Sequence, residues 1–448
     1  MNDSETFLKI IRFSIPLALM GILQLLYNAA DLIVVGNFSG DQEALGAVGS
    51  TGSLINLCIN LFMGLSVGTN VVCARMFGAG EKERVGRVVH TSILLSFILG
   101  FVMSIVGIVF SKQLLHLMNN DLELSNVYLK IYFIGLPFNL CYNFAAAILR
   151  AVGDTKRPLY FLTISGLVNV LLNLLLVIVF DMSVAGVAIA TVVSQILSFL
   201  LIIITLMKSK ECYKLKLKEL NIYKSELKQI VRIGLPAGIQ SSIFSISNVL
   251  IQSSVNLFGP VAMNGNTAAQ SVEGFVYTSM NSVYHASLAF TGQNYGAKNA
   301  KNIKKVTLYS LIIVTLFALI IGQPLFWFGR SILRIYTTVP TEIEVAYIRL
   351  HYLTLPYFLC GIMDVMVGVL RGIGYSIMPM IVSLVGVCGF RVIWILFYFY
   401  QSTDFSNVAD LNLLYVSYPI SWTITFLVHL GTYLVVSKKV FKSFEINH

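Results

Sequence analysis

Three observations predict an all-α integral membrane protein of about twelve transmembrane helices, arranged as two parallel six-helix repeats that form two lobes. The 448 residues are 56% hydrophobic and only 12% charged, far too apolar for a soluble chain of this length. The apolar blocks run to about 20 residues or longer, the length of a membrane-crossing helix and about twice that of an outer-membrane strand. An ordered series of residues in the first half also recurs in the second.

In chain order the spans are expected near 10–36, 46–76, 88–110, 126–150, 157–181, 183–207, 228–256, 262–292, 304–328, 346–370, 376–400 and 412–436. Asp3 and Glu5 precede the first, and no small-residue cleavage site follows a short apolar core, so no removable signal peptide is expected. Lysine and arginine gather in alternate loops: Lys82, Arg84 and Arg87; Lys156 and Arg157; Lys208 to Lys218; Lys298 to Lys305; and Lys438, Lys439 and Lys442. That bias predicts cytoplasmic termini in a bacterial-type plasma membrane, which an even number of spans satisfies. It also accounts for the net charge of +10 without a nucleic-acid partner. Five of the six cysteines fall inside apolar segments and Cys212 lies in a lysine-rich loop, so neither a disulfide framework nor a metal-ligand spacing is present.

The long polar stretch around Lys208–Lys228 divides the chain into an amino-terminal lobe, 1–207, a cytoplasmic linker, 208–227, and a carboxy-terminal lobe, 228–448. Arg12, Pro16 and Asn28 recur as Arg232, Pro236 and Asn248, and Phe77-Gly78-Ala79 as Tyr295-Gly296-Ala297. Leu136-Pro137, Leu149-Arg150 and Gly153 recur as Leu355-Pro356, Leu370-Arg371 and Gly374. Because each half has six spans, both enter from the same side. Parallel repeats of this kind build two lobes around a central pathway whose access alternates, although a channel or scaffold can be duplicated in the same way.

The strongest functional candidate is Asp31, within the apolar stretch Phe13 to Gly40. Stepping back three, four and seven residues gives Asn28, Tyr27 and Gln24, so four polar side chains share one helix face. A carboxylate at the bilayer centre costs about 2.5–3.5 kcal/mol and normally faces a bundle interior or a water-filled cavity. Its polar partners could be Asn169 and Asn173 in span five, the favoured pair, or Tyr142 and Asn143 in span four. In the second half the position equivalent to Asp31 is Ile251, and span seven carries a neutral stripe that includes Gln240, Asn248 and Gln252. The acids there are Glu273 and Asp364; Arg391 is an intramembrane cation expected to pair with one of them. His285 offers a proton relay or, more commonly for a membrane histidine, a simple hydrogen bond. No nucleotide loop, paired metalloprotease histidines or nucleophile elbow is present, so an enzyme is not expected and an ion gradient is the obvious energy source.

Twelve spans in two repeats, Asp31 followed by Val35-Gly36, the Gly78-Ala79 and Gly296-Ala297 ends of spans two and eight, and the Leu-Arg-x-x-Gly motifs at 149–153 and 370–374 together resemble the multidrug and toxic compound extrusion (MATE) family. The resemblance implies a V-shaped pair of lobes that exports small organic, often cationic, compounds in exchange for protons or sodium; a monomer without a cofactor is expected. It implies cation coupling at Asp31, with Asn169 and Asn173 at the polar positions of span five and a sodium ion at Asp31 as one form of the site. Asp364 matches a carboxy-lobe acid of many members. Gln240 stands in the region where another branch has a glutamate, which leaves the coupling ion open. A cationic drug would be drawn by Asp31, Glu273 and Asp364 and held against aromatic and methionine side chains. The alternative is a lipid-linked oligosaccharide flippase of the same superfamily, which would want a cationic cavity, whereas the deep charges are expected to be mostly acidic.

Overall fold

The structure is a computed structural model that describes residues 3–38, 44–117 and 123–446; the end of the first predicted helical stretch, at Gly40, lies outside them. Among the described residues every regular element is helical. The long helices are α1 (Asp3–Phe38), α2 (Ala44–Gly78), α3 (Lys82–Val109), α4 (Glu123–Ala151), α5 (Lys156–Val179), α6 (Ser183–Lys208), α7 (Lys224–Asn256) and α8 (Pro260–Gly296). Then follow α9 (Ala300–Leu333), α10 (Pro340–Thr354), α11 (Tyr357–Ile373), α12 (Ile377–Ser402) and α13 (Ser417–Ile446).

Ten of the described helices are long and apolar enough to cross a membrane, and α10 with α11, bent by 51°, make an eleventh. The remaining expected span is α8, whose 37 residues carry Asn264, Asn266, Gln270 and Glu273 and are too polar to pass on composition. The α10–α11 break falls at Leu355-Pro356, where proline lacks the amide for a continuous ladder and clashes with the preceding turn. Its repeat counterpart, Pro137, sits inside an unbroken α4. One turn of α5, Leu175–Val179, and two segments of α12, Leu384–Gly389 and Ile395–Phe399, widen to π-helix.

The Leu-Arg-x-x-Gly motif is a helix stop. At the end of α4 the Gly153 amide donates to Arg150 O and the Asp154 amide to Leu149 O, with Gly153 at φ +95°. At the end of α11 Gly374 and Tyr375 repeat both bonds to Arg371 and Leu370, with Gly374 at φ +100°. This double bond closes the last carbonyls and needs a left-handed residue, which glycine supplies without Cβ strain. It also fixes an arginine in the last turn of each helix.

The chain packs as two compact units. One contains Leu19–Gly238; the other contains Met1–Ala18 with Ile239–His448. Both boundaries fall inside helices, α1 and α7. In the first unit Phe133, Leu136 and Leu140 of α4 pack with Val187 and Ala188 of α6. There too the first half of α7 crosses α2 through two glycine pairs. A Cβ at Gly64 would lie 2.0 Å from Gly238 N, and one at Gly68 2.2 Å from Ile230 O, so the helices approach backbone to backbone. The loop before α7 is held onto α3: the Lys216 amide donates to His90 Nε2 at 3.1 Å, and the Tyr223 amide to Thr91 Oγ1 at 3.1 Å. In the other unit Phe13 of α1 packs against Phe290 of α8, ring centroids 5.1 Å apart.

Candidate functional site

Within the Leu19–Gly238 unit, polar side chains of α1, α4, α5 and α6 line a cavity of about 190 Å³. α1 contributes Gln24, Tyr27, Asn28 and Asp31, the face expected from their three- and four-residue spacing. Asn173 of α5 donates through Nδ2 to Asp31 Oδ1 and, at 3.3 Å, to Asn169 Oδ1. Asn169 in turn points Nδ2 at Thr191 Oγ1 of α6, 3.5 Å away. Tyr27 fits against α5 because residue 166 is glycine: a Cβ there would fall 1.9 Å from the tyrosine ring.

The other partner pair, Tyr142 and Asn143, opens on the same cavity but bonds elsewhere. Tyr142 donates to Pro158 O at 2.9 Å, and Asn143 to Asn139 within α4. Of the two asparagine faces, then, α5 meets the acid. Asp31 is half-buried, and among the described residues no lysine, arginine or histidine forms an ion pair with it. Asn173 is fully buried and its Oδ1 has no hydrogen-bond partner. A carboxylate whose neighbouring amide has an unsatisfied oxygen is a donor set for a hard cation or a proton. Among the described residues no three histidine, cysteine, aspartate or glutamate side chains cluster as a transition-metal site would need.

The second unit distributes its predicted residues differently. Glu273 of α8 is gripped by Arg349 of α10, Nε to Oε1 and Nη2 to Oε2, both 2.9 Å. The third nitrogen of Arg349 donates to Asn266 Oδ1 at 2.9 Å, which also accepts from Tyr415; Asn266 passes the chain to Gln252 at 2.8 Å. The expected pairing of Arg391 with Glu273 or Asp364 is corrected. Arg391 donates to Ser421 Oγ at 3.1 Å and its guanidinium stacks 3.8 Å over the Tyr418 ring, because α13 offers it a hydroxyl acceptor and an aromatic face where it packs on α12.

Asp364 is half-buried within electrostatic reach of Arg371 and Tyr277. Arg371 binds Gln240 Oε1 and the Tyr284 hydroxyl, each at 2.8 Å. Asn248, on the same neutral stripe as Gln240 and Gln252, is exposed. The ring of His285 meets that of Tyr284 edge-on at 5.0 Å.

The expectation that the deep charges are mostly acidic also needs correction. Arg150, Arg349, Arg371 and Arg391 are all buried, and each belongs to a helix packed inside one unit. Further cavity residues, among them Tyr128, Tyr132, Asn139, Thr191, Gln195 and Ser198, are not among the candidates expected from the sequence. Their signal was available in the polar spacing Tyr128, Tyr132, Asn139, Asn143 on α4 and Thr191, Gln195, Ser198 on α6, each set on one face.

A family model described as MatE matches residues 16–175 and 236–396. The chain is 28% identical over 440 residues to a probable multidrug resistance protein, YoeA, of Bacillus subtilis strain 168, spanning 95% of this chain and 93% of that protein. It is 25% identical over 388 residues to a probable multidrug resistance protein, NorM, of Thermotoga maritima, spanning 85% and 82%. Among solved structures, a mutant of the Vibrio cholerae MATE transporter VcmN superposes with a TM-score of 0.89 at 18% identity, covering 98% of this chain and 99% of that one, a likeness of fold alone.

Proposed function

Because the chain belongs to the MatE family, we propose that this multi-pass membrane protein is an antiporter that exports small organic cations in exchange for protons or sodium. The observation that carries the proposal is Asp31, an acid in a polar cavity with an amide donor and no paired cation. Glu273, by contrast, is already matched by Arg349 and has no charge to spare for a transported ion. The names of the YoeA and NorM relatives support drug export as the outcome.

A proton or sodium ion arriving at Asp31 neutralises its charge and weakens the hydrogen bond that its carboxylate accepts from Asn173. A change of this kind moves the balance between two access states only to the extent that the ion binds them unequally. The organic cation competes for the same negative potential, so ion entry and cargo exit are linked. In this reading 1–207 and 228–448 are the lobes joined by the 208–227 linker, the protein works as a monomer, and both termini are cytoplasmic in a bacterial-type plasma membrane.

The test is efflux of a fluorescent cationic dye from everted vesicles under an imposed proton or sodium gradient, for the parent protein and Asp31→Asn. One gradient should drive dye movement in the parent and fail to do so in the inserted variant. If neither gradient moves any of several cations, the proposal fails for them and a lipid-linked oligosaccharide becomes the substrate to try.

A further inference from the structure

The cavity beside Asp31 continues along α4. Tyr128, Tyr132, Asn139, Asn143 and Arg150 all line it, at spacings of four and seven residues that keep them on one helix face. Tyr132 and Arg150 are 18 residues apart, a rise of about 27 Å at 1.5 Å per residue. The lining therefore extends along most of the membrane-crossing length of α4. Ser165 and Asn169 of α5 and Thr191, Ser194 and Ser198 of α6 line it from the other sides. It therefore runs from an acid to a base between hydroxyl and amide groups, a lining that water can wet.

Arg150 is the unusual end of this path. Its side chain is 7% exposed, and its Nε has no hydrogen-bond partner. Among the described residues no carboxylate forms an ion pair with it. Buried charges are ordinarily paired, and the repeat-related Arg371 has Gln240, Tyr284 and the nearby Asp364. Packing alone would be served better by an apolar side chain. The helix stop at Gly153 sets Arg150 in the last turn of α4, and helical side chains lean toward the N-terminus of their helix, here back into the cavity. The end it occupies adjoins the loop that carries Lys156 and Arg157.

We propose that Arg150 is a fixed cationic plug: it lets the path from Asp31 stay hydrated while barring protons and sodium from passing through this unit to the side of the basic loop. The inference rests on the reading of Asp31 as the coupling-ion site. A positive charge as deeply buried as Arg150 is poorly screened and repels a cation far more strongly than it would in bulk water. Coupling needs such a barrier, because an ion that could reach Asp31 from both sides at once would cross without cargo.

The experiment uses the full-length protein in liposomes holding a trapped pH-sensitive or sodium-sensitive dye, with no organic cation present. Arg150→Gln and Arg150→Met should admit at least one of the two ions about tenfold faster than the parent. Arg150→Lys, which keeps the charge, should stay close to the parent. Adding Asp31→Asn to Arg150→Gln should return the leak to the parent rate, which a leak through damaged protein would not do. Arg150→Gln protein that is monodisperse and leaks no faster than the parent overturns the proposal, as does a leak that the added Asp31→Asn leaves unchanged. If Arg150→Gln and Arg150→Met do not fold, Arg150→Lys decides: a folded Lys variant whose leak exceeds the parent's and is unaffected by Asp31→Asn also overturns it. These readouts are of passive ion entry, so a failure of dye efflux in the parent tells separately against the export reading.

Discussion

Arg349 and Glu273 meet through two parallel hydrogen bonds of 2.9 Å, both side chains nearly removed from solvent. Removing one partner of such a pair strands the other charge and costs about 3–5 kcal/mol, whereas replacing both with apolar groups can be nearly neutral. Glu273→Gln is therefore expected to lower the thermal unfolding midpoint of the purified protein in detergent sharply. Joint Glu273→Met and Arg349→Leu should recover most of the loss. A single variant as stable as the parent would show that the pair does not fasten α8 to α10.

Asn173 distinguishes the coupling ions. If the ion is sodium, Asn173→Ala removes an oxygen that can ligate it, and the half-saturating sodium concentration for dye efflux should rise about tenfold, the worth of one charge-assisted contact. If the ion is a proton, the same variant removes a donor to the carboxylate, and efflux should saturate at a lower proton concentration. Titrating efflux against each ion separates the cases. No change with either ion would mean that the contact seen with Asp31 is not part of coupling.

Lys298 ends α8 as Gly80 ends α2, with the same double bond, Lys298 amide to Tyr295 O and Asn299 amide to Asn294 O. Gly80 sits at φ +74° and Lys298 at +52°. A side chain in the left-handed region costs roughly 1–2 kcal/mol, so Lys298→Gly should stabilise the protein by about that amount. Chemical unfolding of the two proteins side by side checks it. Gly80→Lys should move stability in the opposite direction.

Cys212 tests the orientation. It is half-buried in the loop between α6 and α7, and that burial pushes its thiol above the ordinary cysteine range. Less thiolate is then present at neutral pH, and because the folded value is raised, labelling should accelerate as pH climbs beyond the usual thiol range. With cytoplasmic termini, a membrane-impermeant maleimide should reach Cys212 in everted vesicles and not in right-side-out cells. Labelling in intact cells alone would invert the topology.

Much of the architecture was legible because membrane helices advertise themselves by length and because duplication leaves matched prolines, glycines and arginines. The polar face of α1 was legible for the same kind of reason, since a carboxylate in an apolar helix has few places to go. The four-residue spacing of Asn169 and Asn173 marked them as one face, but only the packing of α5 on α1 separates them from Tyr142 and Asn143 as the neighbours of Asp31. The arginines were harder: Arg150 and Arg371 lie in the last turn of their helices, where sequence alone does not say whether a long side chain turns inward or toward water. Glu273 found Arg349 instead of Arg391 because partners are chosen by packing across helices that are distant in sequence. The span at 262–292 was legible as an apolar block by length although α8 is polar enough to fall short of a strict hydropathy average. The motifs Gly64-Leu-Ser-Val-Gly68 and Gly234-Leu-Pro-Ala-Gly238 stood in the sequence as close-packing signals, but nothing in the one-dimensional pattern said that each was the other's partner.

That glycine crossing imposes an order on synthesis. The unit that begins at Leu19 cannot be completed when its sixth helix leaves the ribosome, because Gly234 and Gly238 belong to the seventh. The opening residues, Met1 to Ala18, face a longer wait: Phe13 has no ring to meet until Phe290 has been made. A nascent chain paused in the loop after Lys208 thus holds an unfinished bundle at one end and an unclaimed half-helix at the other. Severing the gene at that loop would yield fragments that must each find a missing piece in the other, although the repeat makes the cut look natural.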